Sequence, residues 1–485
     1  MGEDVCYSRR YHILFAIMLG SIMGPIDASI VNVTLPTIAQ YFHVGLSTAQ
    51  WVPMIYLLVI SSLLLFWGRL GDIVGYRKVY LTGLACFIVA SALCGVAHFA
   101  PTIRWLVAFR AIQGVAAGMM MGVPYAIITA SFPPAERGKA LGINAISISA
   151  GLAIGPSLGG FITYSLGWPF VFLINVPIGI AAFFWARHIV PEFKAQPGKI
   201  DVAGAAASFI CLLSFLLFVS YAQGSGLNFR TGVMLSVAVL AATSFLSMER
   251  RTVSPMLNLG LFRNLTFSFA NISALLNFMS QYVMVFLTPF YLQRLLHHTP
   301  NSVGVTMTAF PLAVMVVAPF SGSLSDRVGT RALACFGAAL CALGLFLMSQ
   351  LPASATSLDV VWRLAVFGIG TGIFQSPNNS AVMGSSPRPQ LGIASGILST
   401  VRNVGMVLGI AAGGAVLYAL VSPTILHQPL LVGEQTREFL FGLRHAYMIG
   451  AIVAGIAAVT SLVRSGRVQR DIPALLRSSI VARVR

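Results

Sequence analysis

A single carboxylate, Asp27, stands near the middle of the apolar run HILFAIMLGSIMGPIDASIVNVTLPTIAQ at 12–40. An ionisable group inside hydrocarbon is costly and ordinarily faces a bundle interior or a water-filled path for ions or protons. The chemistry it implies is reversible proton binding. A second ionisable group, Arg110, opens the run RAIQGVAAG, about 9 Å below the start of its span by helix rise, with Gln113 on the same face. A buried guanidinium needs a partner, and of the 13 Asp and Glu residues only Asp27 lies at depth. Arg110 and Gln113 are therefore expected beside Asp27, holding it ionised until substrate or conformation alters the balance. The competing reading is an Arg110 that snorkels to the interface and meets no acid.

Charges of a second kind sit in loops. GRLGDIVGYRKV at 68–79 returns as GSLSDRVGTRAL at 322–333, matching Gly68, Leu70, Asp72, Val74, Gly75 and Arg77 with Gly322, Leu324, Asp326, Val328, Gly329 and Arg331. An acid and a base separated by a turn can pair with helix ends across an inner gate. Gly68, Asp72, Gly75, Arg77, Lys78, Gly322, Asp326, Gly329 and Arg331 are the gate candidates, and topological anchoring is their plainer reading. Further on, Gly151, Gly155 and Gly159 recur in four-residue steps, followed by Gly160. That spacing puts small residues on one helix face, where a neighbouring backbone can approach. Pro156 removes a backbone donor and is expected to bend this helix.

These residues must be held by membrane-spanning helices. The 485 residues are 57% hydrophobic and 9% charged, with a mean hydropathy of +0.85, outside the range of soluble domains. Unbroken apolar runs of spanning length, rather than short alternating ones, exclude a β-barrel. The expected fold is all-α with fourteen spans, at 12–39, 49–67, 80–98, 104–129, 141–165, 168–186, 203–222, 231–247, 266–292, 303–323, 333–350, 360–384, 392–420 and 443–463. The loop repeat has an offset of 254 residues. At the same offset Gly151, Gly155, Gly159 and Gly160 fall on Gly405, Gly409, Gly413 and Gly414, and Gly114 and Gly118 on Gly368 and Gly372. The offset covers eight spans, an even number, so the halves are parallel repeats. The expected division is a six-helix bundle at 1–190, an inserted helix pair with its connectors at 191–260, a second six-helix bundle at 261–466 and a basic tail at 467–485.

The net charge of +17 follows from topology rather than from a nucleic-acid surface. Of 30 Lys and Arg residues, only Arg104, Arg230, Arg294, Arg363, Arg437 and Arg444 fall opposite the N-terminus, and Arg110 and Arg402 lie within spans. The other 22 share the side of the N-terminus, which sets both termini in the cytoplasm. The first apolar run has no obvious small-residue cleavage site and is expected to remain as an anchor. The six cysteines are scattered without metal spacing, and the eight histidines are dispersed. Neither a Ser/His/Asp grouping nor a G-x-x-x-x-G-K-[ST] loop occurs, which argues against an enzyme or nucleotide-driven pump.

The loop G-x-L-x-D-x-x-G-x-R-K resembles the signature loop of the major facilitator superfamily. IDASIVNVTLP, RAIQGVAAG and GLAIGPSLGG on fourteen spans resemble its fourteen-span drug:proton antiporters. The resemblance covers essentially the whole chain. It implies a proton-driven exporter of small lipophilic or amphipathic compounds, of the multidrug type, working by alternating access in the cell inner or plasma membrane. A proton-coupled symporter or exporter of one metabolite is the alternative. The resemblance also implies that the Gly-Pro run is an antiporter motif sealing the bundle interface against leak, and that Arg110 acts on proton exchange. No cofactor is expected beyond the proton gradient, and no metal or nucleic acid. The expected partners are substrate, protons and lipid, with a periplasmic adaptor where the cell has an outer membrane.

Within the repeat, Gln281 stands where Asp27 stands and Ile410 where Pro156 stands. Proton coupling is therefore expected in the N-terminal half alone. Substrate contacts are expected from Asn32, Asn277, Gln281, Tyr282, Phe286, Phe374, Gln375, Asn378 and Arg402. With no second deep acid for a dication, the substrate is expected to be neutral, monocationic or, if Arg402 faces the cavity, anionic.

Overall fold

A computed structural model describes residues 9–44, 46–49, 51–193, 202–225, 228–250, 259–298, 300–422, 425 and 433–463. The tail at 467–485 and the middles of both connectors around the inserted pair lie outside the described residues, as do the side chains of Asn32 and Pro156.

Among the described residues the chain is helical throughout and forms no strand. The long helices are α1 (Arg10–Tyr41), α2 (Trp51–Val74), α3 (Tyr76–Val96), α4 (Ile103–Gly122), α5 (Pro124–Ser131), α6 (Arg137–Ser165) and α7 (Asn175–Ile189). They continue as α8 (Val202–Ser225), α9 (Phe229–Glu249), α10 (Leu265–Phe290), α11 (Ala309–Val328), α12 (Thr330–Ser349), α13 (Ser357–Gly384), α14 (Leu391–Leu420) and α15 (Glu434–Leu462). Thirteen helical segments are long and apolar enough to cross a membrane, α4 and α5 together making one. In α8 the apolar stretch is shorter, Ala203–Val219, and lies within the seventh of the expected spans. The fourth span is broken at Val123, where Pro124 begins α5, because proline has no N–H to continue the ladder and suits a first helical turn. Glu434, Arg437 and Glu438 belong to the start of α15, where Glu438 accepts a hydrogen bond from the Ser422 N–H at 2.7 Å.

The two halves repeat their packing helix for helix. In the first, α6 packs on α1, α4 on α2 and α3, and α7 on α1 and α3; in the second, α14 packs on α10, α13 on α11 and α12, and α15 on α10 and α12. Between the halves α2 lies along α14 and α6 along α11, a crossed pairing that a two-fold axis along the helices produces. The inserted helices α8 and α9 pair with each other, and α8 rests against α2 and α14 at the seam. Small residues permit these approaches. A methyl group on Gly68 would stand 3.0 Å from the Gly396 Cα, and one on Gly142 would stand 3.0 Å from the Pro319 Cα.

Candidate functional site

The N-terminal bundle closes around Asp27, which is wholly buried with Arg110 and Gln113. Arg110 Nη1 donates to Asp27 Oδ2 at 2.5 Å and to Gln113 Oε1 at 2.6 Å. Gln113 Nε2 donates to Asp27 Oδ1 at 3.1 Å, and Asn175 Nδ2 donates to the same oxygen at 3.0 Å. Arg110 Nε reaches the Val52 carbonyl at 3.2 Å, and its guanidinium lies 4.0 Å from the Tyr56 ring centroid, a cation–π arrangement. Gln113 also donates to Ser91 Oγ at 2.9 Å. Side chains and backbone of α1, α2, α3, α4 and α7 thus meet at one carboxylate. Arg110 does not snorkel. Asn175 escaped the sequence reading, although an amide in an apolar span is itself a signal of a buried polar contact.

On the face where α1 begins, termed here the basic face, the two loop acids bridge the halves. Asp72 Oδ1 accepts from the Gly392 N–H at 2.7 Å and Oδ2 from the Ile393 N–H at 3.0 Å, both in the first turn of α14. Asp326 does the same for α6, accepting from the N–H groups of Gly138 and Lys139 at 3.0 Å each. Helix N-termini carry unsatisfied N–H donors and partial positive charge, so a carboxylate from the opposite half suits both. Tyr76 Oη donates to Asp72 Oδ1 at 2.7 Å and steadies it. Gly75 and Gly329 turn the chain between helices with φ of 106° and 92°, which side chains rarely adopt. Gly322 faces the Gly138 backbone of the other half, and Gly68 that of Gly392.

The loop bases depart from expectation. Arg77 stays within its own half, donating to Glu192 Oε2 at 3.2 Å and the Arg187 carbonyl at 2.7 Å, while Lys78 Nζ lies 3.7 Å from Glu192 Oε1. The N-termini of α6 and α14 already supply the positive end that each acid needs, which leaves the bases to local partners. Arg331 is exposed.

The glycine motif also differs in its neighbour. Gly151, Gly155 and Gly159 pack on α1, at Ile22, Ser29 and Ile30 respectively, within one bundle rather than between bundles. It is Gly138 and Gly142, nearer the basic face, that carry α6 onto α11 of the other half. Gly160 points off the packed face and meets nothing within 4 Å.

Two expected substrate residues are turned away from the cleft between the halves. Asn277 Nδ2 donates to Cys341 Sγ of α12 at 3.6 Å, and Phe374 packs with Ala334 and Ala338 of the same helix. Helical spacing gave their depth but not their rotation. Gln375 Nε2 donates to Gln281 Oε1 at 3.3 Å, and Phe286 meets Phe290 edge to face at 5.2 Å. Asn378 is buried, and Tyr282 packs at Gly409. Arg402 reaches across the halves to Tyr125 Oη at 3.4 Å. Among the described residues no group of three His, Cys, Asp or Glu side chains gathers as a metal site requires.

The sequence matches the model of the Major Facilitator Superfamily over residues 17–269 and again over 270–477. The chain belongs to that superfamily. Within it, the chain is similar to the riboflavin transporter RibZ of Clostridioides difficile, with 33% identity over 408 residues, 83% of this chain and 87% of that one. It is equally similar, 33% over 416 residues, to the multidrug resistance protein Stp of Mycobacterium tuberculosis, covering 85% of this chain and 76% of Stp. The fold matches that of the human organic anion transporter MFSD10, with a TM-score of 0.65 at 14% identity, over 93% of this chain and 99% of the other. This superfamily member is a multi-pass membrane transporter and not an enzyme.

Proposed function

We propose that this transporter is a proton-driven exporter of small lipophilic or amphipathic compounds, with Asp27 as the group that carries the proton. One observation carries the reading: a lone carboxylate at the centre of the N-terminal bundle, wholly buried, accepting from Arg110, Gln113 and Asn175 at once. Those three donors suit the ionised form, which only accepts. A proton on Asp27 sets an O–H against N–H donors, so those bonds must rearrange and α1, α4 and α7 must shift together. Entry of a proton from the opposite face is thereby tied to parting of the halves at the basic face, where Asp72 and Asp326 otherwise hold them closed. Gly68, Gly75, Gly322 and Gly329 let that gate close tightly. Substrate leaves and a proton enters at the face opposite the basic face, and the proton is released at the basic face once the halves part there, as alternating access requires.

The multidrug resistance protein named among the relatives supports a broad apolar substrate class. The riboflavin transporter among them favours a second reading, in which one metabolite is carried. The proposed organisation is the two bundles at 1–190 and 261–466, the helix pair between them and the basic tail. Both termini lie in the cytoplasm of an inner or plasma membrane, on the strength of the basic bias. The energy source is the proton gradient without a further cofactor, and a periplasmic adaptor joins the outer side where there is an outer membrane.

The test is direction. In proteoliposomes of known orientation, a lipophilic dye should move against an imposed proton gradient. Movement with the gradient would instead identify a symporter, and movement of riboflavin alone among many compounds would favour the single-metabolite reading.

A further inference from the structure

Among the described residues Arg402 is the other cation buried inside the spans. It lies about 16 Å along α14 from the basic-face end by helix rise, and only 6% of its surface is exposed. Arg110 has its carboxylate; Arg402 has none. Among the described residues it forms no salt bridge, its one hydrogen bond is the 3.4 Å contact to Tyr125 Oη, and its buried Nε has no partner. A guanidinium offers five N–H donors and does not lose its proton. A buried donor left without an acceptor costs free energy, and no backbone carbonyl among the described residues takes up the Nε–H.

The surroundings explain what could answer them. Tyr125 belongs to α5 of the N-terminal half, just past the break at Pro124, and Arg402 to α14 of the C-terminal half. Their contact sits where the two halves meet. Cross-half hydrogen bonds run from Asp72 and Asp326 at the basic face through Ser399, which donates to the Met121 carbonyl at 3.1 Å, and up to this level. Tyr282 of α10 is within electrostatic reach of Arg402. Beyond it, Phe286 and Phe290 follow at four-residue steps towards the opposite face, half-buried and in edge contact.

We infer that Arg402 and Tyr125 form the anion-binding end of the substrate site, and that the compounds carried include lipophilic monoanions whose carboxylate meets the Arg402 fork. The planar guanidinium matches a carboxylate bidentately, which an ammonium does not. The anion supplies the charge that α14 lacks, while the apolar body lies along Tyr282, Phe286 and Phe290. Because the contact joins the halves, an anion that draws Arg402 from Tyr125 also loosens the join between them. The inference rests on the exporter reading in taking the seam between the halves as the substrate path.

Equilibrium binding to the purified full-length protein tests it without any gradient. Thermal shift and titration are run with a set of lipophilic aromatic carboxylic acids, each compared with its own methyl ester. Acids should bind the native protein and esters at least about tenfold more weakly, the loss expected for a charged hydrogen-bonded pair. Arg402→Gln should erase the preference. Arg402→Lys should keep it while weakening the acids, and it carries the test should the glutamine variant fail to fold. Esters binding as well as acids, no acid binding the native protein, or a preference that survives Arg402→Gln or is undiminished in Arg402→Lys would each overturn the inference. The binding is read with no gradient across a membrane. A failure of proton-driven export therefore registers separately from a failure at Arg402.

Discussion

Asn175 and Gln113 share one oxygen of Asp27, at 3.0 and 3.1 Å, leaving the other oxygen to Arg110. Asn175 comes from α7 and Gln113 from α4, so the carboxylate ties the last helix of the bundle to the fourth. Removing the amide leaves Asp27 with its cation but with one fewer donor. Hydrogen bonds to charged groups contribute about 1.5–3 kcal/mol. Asn175→Ala should therefore slow gradient-driven export by about tenfold or more, with the protein still folded. Asn175→Asp keeps the shape and sets a second carboxylate beside the first, and it should abolish export. Initial rates of dye efflux from proteoliposomes, beside thermal unfolding of the same preparations, check both outcomes.

Arg110 and Asp27 test the pair as a unit. Breaking a buried ion pair from one side costs about 3–5 kcal/mol, because it strands the other charge, whereas neutralising both sides costs far less. Arg110→Gln should lower the unfolding temperature strongly, and Arg110→Gln combined with Asp27→Asn should recover most of that loss. Neither protein should show gradient-driven export. Recovery of export in the double variant would remove Asp27 from proton transfer while leaving its structural part intact.

How far the site could be read ahead of the structure depended on whether a residue announced its own partner. Asp27 and Arg110 did, since an acid and a base at depth are each too costly alone and nothing else was at hand. The shared offset of 254 residues made the parallel halves legible, and with them the matching roles of Asp72 and Asp326. Arg77 was less legible. Its partners, the Arg187 carbonyl near the end of α7 and Glu192 just past it, lie more than a hundred residues away, and no periodicity links them. Asn277 and Phe374 show the other limit. Every face of a helix in the middle of a bundle is apolar, so a pattern of hydrophobic residues gives its depth without fixing its rotation.

The caps across the halves predict a gating phenotype. Asp72→Asn and Asp326→Asn each replace a charge at a helix N-terminus by a neutral amide, and a charged residue there contributes about 0.3–1 kcal/mol at exposed ends, up to about 2 when partly buried. Either change should shift the population towards the state open at the basic face. A cysteine at position 399, where the native serine donates to the Met121 carbonyl, should be labelled by a membrane-impermeant maleimide from that side faster in each variant. The double variant should be faster still. Labelling rates equal to those of the parent protein would mean that the caps do not hold the gate.

Within the run Gly151, Gly155, Gly159 and Gly160, the last two adjoin in sequence and differ in surroundings. A methyl group on Gly151 would stand 2.9 Å from the Ile22 carbonyl oxygen and 2.9 Å from the Pro25 Cβ, and one on Gly159 would stand 3.0 Å from the Ile30 carbonyl oxygen. One on Gly160 would meet nothing within 4 Å. Since α1 carries Asp27, pushing it away from α6 strains the cluster around the carboxylate as well as the packing. Overpacking of this kind typically costs about 1–3 kcal/mol. Gly151→Ala and Gly159→Ala should lower thermal stability and export together, while Gly160→Ala should match the parent in both, helped slightly by the better helix propensity of alanine. A loss of export in Gly160→Ala at unchanged stability would show that the motif acts through its outward face, and would move its role from packing on α1 to a contact made in another state of the cycle.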